Sequence, residues 1–277
     1  MTSPPVPATS RAGRNLPVAA AVGVVLAALV LATIYTVKEL FVALVVLVLA
    51  VAAHEFTTAL RSTGAHVPLV PLVAGSTVML ISAYGSGMDA LAAAYVLTIT
   101  AVALARLPGP AVGLGRDVVI GVLVVTYLPL LAGFAMVMLA APDGPDRIVV
   151  FILAVVMSDI GGYAAGVLFG KHKMAPKVSP KKSWEGFVGS VAGGAVATVF
   201  SVQLLLDGTW WQGLLIGVVA VLTATVGDLT ESLLKRDLGV KDMGRLLPEH
   251  GGIMDRLDSL LPTAPVVALL LVAVVGT

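Results

Sequence analysis

Lys38-Glu-Leu-Phe-Val-Ala-Leu-Val-Val-Leu-Val-Leu-Ala-Val-Ala-Ala-His-Glu-Phe56 is an unbroken apolar run whose ionisable residues sit at its ends. A helix of about 20 such residues matches the roughly 30 Å hydrocarbon core of a bilayer, where only helices and closed barrels satisfy their backbone groups. The hydrophobicity is continuous rather than alternating, which selects the helix. Eight further stretches read the same way, giving spans at 16–35, 38–56, 67–85, 88–105, 117–140, 148–170, 185–206, 211–234 and 257–276. Overall, 58% of the 277 residues are hydrophobic and 12% are charged, against about a quarter charged in a soluble domain. The expected fold is an all-α polytopic transmembrane helical bundle of about nine spans.

Arg11 and Arg14 precede the first run as in a signal peptide, but that run is too long and eight more follow, so it reads as an uncleaved anchor. Residues 1–14, rich in Pro, Ser and Thr, read as a disordered cytoplasmic tail. With the N-terminus cytoplasmic, all of the 17 basic residues except Lys38 and Arg147 fall on or at the cytoplasmic side. That asymmetry follows the positive-inside rule. It places the two long basic connections, 171–184 and 235–256, in the cytoplasm, where nucleotides are available.

The net charge of +1 hides this segregation. Cysteine is absent, which excludes disulfides, thiolate nucleophiles and cysteine-bound metal. The histidines at 54, 66, 172 and 250 lack metal-ligand spacing, so zinc is not expected. Gly166–Lys171 lacks a spacer and the Ser/Thr of a P-loop, and Gly113-Leu-Gly115 lacks the third glycine of a dinucleotide fingerprint.

Composition divides the chain near residue 147. Residues 15–146 read as a transmembrane scaffold, and 147–277 as the catalytic region, because Asp159, Asp228, Glu231 and both basic connections lie there. Gly162, Gly166 and Gly170, and then Gly189 and Gly193, fall four apart, a spacing that lets membrane helices pack closely.

Four constellations could carry chemistry. In the eighth span Asp228, Glu231, Ser232 and Lys235 share one helical face. A carboxylate there needs a partner, hydration or a cation; a structural Asp–Lys pair is the simpler alternative. The second constellation runs Ser232-Leu-Leu-Lys-Arg-Asp-Leu-Gly-Val-Lys-Asp-Met-Gly-Arg-Leu-Leu-Pro-Glu-His-Gly-Gly-Ile-Met-Asp-Arg-Leu-Asp258. It combines cations for phosphates, carboxylates for a divalent metal and glycines for close backbone approach. If its end folds back on the eighth span, Asp255 and Asp228 meet; Asp258 reads equally as a ligand or a helix-start residue. The third, Lys171–Gly186, contains Ser-Pro-Lys-Lys-Ser-Trp-Glu-Gly directly before a helix. That order suits phosphate recognition at a helix N-terminus, although cytoplasmic lysines also serve as topology signals and lipid contacts. Lastly, Asp159 lies within the sixth span, where a carboxylate without a partner costs at least about 2.5 kcal/mol. Lys182, Lys235 or a metal are the candidate partners. His54 and Glu55 read as boundary residues.

These residues resemble the signature of the phosphatidate cytidylyltransferases (CDP-diacylglycerol synthases): Ser232, Lys235-Arg236, Lys241-Asp242, Gly244, Pro248, His250-Gly251-Gly252, Asp255-Arg256 and Asp258. Ser158-Asp159 with Tyr163, the Ser-Pro-Lys-Lys-Ser-Trp-Glu-Gly segment and Gly227-Asp228-Leu-Thr-Glu231-Ser232 extend the likeness over about residues 157–260. Glu249, where the family more often has Gly, departs from it. The resemblance implies transfer of CMP from CTP to phosphatidate, giving CDP-diacylglycerol and pyrophosphate for phospholipid biosynthesis. It implies Mg²⁺ held by Asp228 and Asp255, with Lys235, Lys241 and Asp242 also catalytic. Lys181, Lys182, Ser183, Glu185, Ser232, Arg236, His250, Gly251, Gly252 and Arg256 are implied to bind substrate. The implied partners are CTP, phosphatidate, membrane lipid and a second copy of the chain, with no nucleic acid, at the cell membrane with the active site on the cytoplasmic side. Competing readings are a polytopic lipid kinase or phosphoglycosyl transferase and, from another class, an ion-coupled transporter.

Overall fold

The structure is a computed structural model that describes residues 16–244 and 252–276. Among these residues, seven helices are long and apolar enough to cross a membrane. In chain order the elements are α1 (Leu16–Thr36), α2 (Lys38–Leu60), α3 (Leu69–Arg106), α4 (Leu114–Val125), α5 (Leu131–Ala140), α6 (Gly144–Phe169), β1 (Lys173–Ala175), β2 (Ser179–Ser183), α7 (Trp184–Leu205), α8 (Trp210–Asp237), α9 (Met254–Leu257) and α10 (Leu260–Leu270). Thr33, Thr57, Ser76, Thr98, Thr198 and Thr263 return their hydroxyls to the carbonyl four residues back, which satisfies these polar groups without water.

Three features depart from the sequence expectation. The expected spans 67–85 and 88–105 form the single element α3, which as a straight rod would be about 57 Å long. It is not straight. Gly87 leaves the helical conformation at φ 75°, ψ −155°, and a β-carbon on Gly75 would fall within 2.9 Å of Thr98 Cβ. The two halves therefore lie side by side as a hairpin. The second departure is at α8, which continues to Asp237, so Lys235 and Arg236 belong to its last turn and not to a loop. Cations are favoured there by the partial negative charge at a helix C-terminus. Third, the basic connection after α6 is a two-stranded antiparallel hairpin pairing Lys173 with Ser183 and Ala175 with Ser179, a β element in an otherwise helical fold. The segment 1–14 lies outside the described residues.

α4 and α5 form one apolar rod, Leu114–Ala140, interrupted by a wide turn at Thr126–Leu130 containing Pro129. Proline lacks the N–H and crowds the preceding carbonyl, and the wider turn absorbs both. Lys38 and Arg147, the two exceptions to the charge asymmetry, are structural. Lys38 Nζ donates to the carbonyls of Leu139 (3.1 Å) and Ala141 (2.9 Å) at the end of α5. Arg147 is 3% exposed, pairs with Asp143 at 2.6 Å and donates to Gly276 O.

The pairs α6–α7 and α7–α8 pack most extensively. A β-carbon on Gly189 would come within 2.5 Å of Gly161 O, and one on Gly193 within 2.5 Å of Met157 O, so the glycine spacing read from the sequence does set this approach. Gly189→Val is expected to force the helices apart, costing about 1–3 kcal/mol. Its thermal unfolding midpoint should fall by several degrees; an unchanged midpoint in the purified variant would contradict the close packing.

Candidate active site

Four segments meet around one cavity of about 380 Å³: the second half of α6, the β1–β2 hairpin with the start of α7, the second half of α8, and α9 with the residues after it. Its walls include Asp159, Tyr163, Lys181, Lys182, Ser183, Asp228, Asp255, Arg256 and Asp258. α7 begins here because Ser183 caps it, accepting the Gly186 N–H at 3.1 Å. The same cap turns the chain so that Lys181, Lys182 and Ser183 all face the cavity.

The shared face of α8 is realised. Asp228 accepts from Ser232 Oγ at 3.3 Å and pairs with Lys182 of β2. One turn further, Lys235 Nζ lies 3.2 Å from the buried Glu231 and 3.0 Å from Asp255. Asp255 also accepts the Met243 N–H (3.0 and 3.2 Å to its two oxygens) and the Gly252 N–H at 2.9 Å. One carboxylate thus ties both arms of the return connection to the end of α8.

Asp228 and Asp255 do share the cavity, each beside its own ammonium group. Asp159 and Asp258 join them: Asp258 is within electrostatic reach of Asp228 and Asp159, and Asp159 of Asp228, Lys182 and Arg256. Clustered carboxylates repel one another, and cations relieve that repulsion. Among the described residues no three acids are grouped so as to hold a metal ion by themselves. Mg²⁺, which takes hard oxygen donors but needs few from the protein, would have to be held here by one or two carboxylates with its other ligands from outside the chain.

Not every implied residue reaches the cavity. Lys241 and Asp242 are exposed, Arg236 points toward Val178 O, and Lys235 sits behind Asp255, none of them in the cavity wall. Glu185 turns away to His172, accepting from its ring at 2.6 Å and from the backbone of Lys171 and His172. Ser232 acts through Asp228, and Gly252 lies against Glu55. His250 and Gly251 lie outside the described residues. Glu55, read as a boundary residue, is buried at 8% exposure beneath this connection. An acid in the last turns of an apolar run was the signal for it.

The fold and cavity together define a multi-pass helical membrane protein with one cavity lined by both basic and acidic side chains. The chain belongs to the cytidylyltransferase family, whose profile matches residues 18–274. It is 44% identical to a phosphatidate cytidylyltransferase of Mycobacterium leprae (strain TN) over 93% of this chain and 88% of that protein. A phosphatidate cytidylyltransferase of Mycobacterium tuberculosis (strain H37Rv) is 42% identical over 94% of this chain and 83% of its own length. The phosphatidate cytidylyltransferase of Haemophilus influenzae (strain Rd) is 44% identical over 42% of each chain.

Proposed function

We infer that this protein transfers CMP from CTP to phosphatidate, forming CDP-diacylglycerol and releasing pyrophosphate. The carrying observation is the convergence of β2, α8 and α9 on one cavity that holds both cations and carboxylates. Near-full-length identity to phosphatidate cytidylyltransferases supports the same reading.

In this reading a lipid phosphate oxygen forms a bond to the α-phosphorus of CTP while the bond from that phosphorus to the β-phosphate oxygen breaks. A phosphate monoester loses its second proton near pH 6, so the nucleophile is largely ionised without a general base. The work left to the protein is charge neutralisation and in-line positioning. Lys181, Lys182 and Ser183 would hold the lipid phosphate, and Lys235 and Arg256 the triphosphate. Asp228 and Asp255 would hold Mg²⁺, which when bound neutralises phosphate charge. The acyl chains would remain between helices, since they need not leave the bilayer.

The orientation belongs to this proposal: nine crossings, the α3 hairpin counted as two and α1 as one, with the N-terminus and active site on the cytoplasmic side of the cell membrane. So do the division into an N-terminal scaffold (15–146) and a catalytic region (147–277), and pairing into a homodimer. Purified protein supplied with Mg²⁺, CTP and phosphatidate should yield CDP-diacylglycerol and pyrophosphate in equal amounts; absence of both products would remove the reading. Lys181→Ala should raise the KM for phosphatidate about tenfold, the scale of one charge-assisted hydrogen bond, with little change for CTP. A raised CTP constant with an unchanged lipid constant would reassign that lysine to the nucleotide.

A further inference from the structure

We propose that Glu55, on α2 in the N-terminal half, is the positioning residue that sets Asp255 in the cavity, an inference that rests on the CMP-transfer reading. Its Oε2 accepts the N–H of Met254, the residue before Asp255, at 3.0 Å. The same carboxylate fills the space beside both arms of the return connection. A β-carbon on Gly244 would fall 2.7 Å from Oε2, and one on Gly252 2.5 Å from it. At neither glycine could a β-carbon be added without displacing the Glu55 carboxylate.

Two carboxylates therefore hold the same two arms. Asp255 takes the Met243 and Gly252 N–H groups and ties them to Lys235. Glu55 takes the Met254 N–H and packs on Gly244 and Gly252. Its Oε1 is buried and has no hydrogen-bond partner among the described residues. Such an atom is costly, and an apolar side chain would avoid that cost but could not accept from Met254. The contact also explains how a scaffold helix, far from the chemistry in sequence, bears on it: supporting groups that orient a ligand residue typically change its affinity or activity 10–100-fold.

The test uses the full-length protein in lipid nanodiscs, with Glu55→Ala and Glu55→Gln compared by amide hydrogen exchange and by kinetics. Glu55→Ala should speed exchange of the Met243, Gly252 and Met254 amides by about tenfold or more while α6 and α7 stay protected. It should lower kcat about tenfold and raise the Mg²⁺ concentration for half-activity, leaving the lipid KM within about twofold. Glu55→Gln, which keeps an amide oxygen as acceptor, should recover most of both. A Glu55→Ala protein with normal kcat, normal Mg²⁺ dependence and only a lower unfolding temperature would overturn the proposal, as would a defect confined to the lipid KM. If Glu55→Ala does not fold, Gly244→Ala presses a methyl group onto the same carboxylate and must reproduce the faster exchange; wild-type exchange in that variant overturns the contact. A wild-type protein that makes no CDP-diacylglycerol would sink the CMP-transfer reading, whereas the exchange measurement would still decide whether Glu55 holds the connection.

Discussion

Asp228→Asn is expected to leave a folded, membrane-inserted protein whose CTP-dependent turnover is lower by about 10³-fold, on the scale seen when a preorganised electrostatic group is removed from an active site. The fold should tolerate the change. The Asp228 side chain is 33% exposed and that of Lys182 is 25% exposed, so their ion pair is partly hydrated. Pairs of that kind contribute about 0–1 kcal/mol. Asparagine has the same shape, and its carbonyl can still accept from Ser232. What it lacks is the negative charge in the cavity. Lys182 then loses its partner, and the carboxylate cluster formed with Asp159 and Asp258 loses a member within electrostatic reach of both. Measurement is direct: thermal unfolding and CDP-diacylglycerol formation on the same purified preparation, over a Mg²⁺ titration. Turnover within tenfold of wild type at ordinary Mg²⁺ would remove Asp228 from the proposed metal site.

The bilayer makes much of this fold readable in one dimension, because apolar length and backbone satisfaction leave a single kind of solution for each span. The glycines at 189 and 193 were legible for a related reason: in lipid, close helix contact depends on small side chains at regular spacing. The spacing of Asp228, Glu231, Ser232 and Lys235 carried directly onto one face of α8. Contacts between elements were not legible. Sequence spacing cannot tell which helix end lies under which connection, so Glu55 read as a boundary residue although it touches Met254, 199 positions away. Lys38 and Arg147 looked like breaches of a charge rule and are instead buried or partly buried fasteners of carbonyl groups. Glu185 shows the converse. Its position next to a phosphate-like motif suggested a substrate contact, but the β hairpin brings His172 within hydrogen-bonding distance and turns the acid away from the cavity.

Asp255→Asn separates structure from chemistry differently from Asp228→Asn, because the Asp255 side chain is only 7% exposed and its oxygens already receive Lys235, Met243 and Gly252. Asparagine offers one oxygen where the carboxylate offers two, and its amide protons would face either a backbone N–H or the Lys235 ammonium. A buried donor left without an acceptor costs about 1–3 kcal/mol. Removing one member of a buried ion pair costs about 3–5 kcal/mol, but Glu231 remains 3.2 Å from Lys235 and offsets part of that loss. The net expectation is about 2–4 kcal/mol, expressed at the connection between α8 and α9 rather than throughout the bundle. Asp255→Asn should therefore lose turnover as fully as Asp228→Asn and, unlike it, should also show a lower unfolding midpoint and faster exchange at Met243 and Gly252. Adding Lys235→Met would leave the buried Glu231 carboxylate without its cation, so the double variant should regain neither midpoint nor activity, and the two midpoint losses should combine non-additively because the residues are in contact. If Asp255→Asn keeps both amides protected and melts with the wild type, the carboxylate does not organise this connection, and its loss of activity would have to come from the cavity alone.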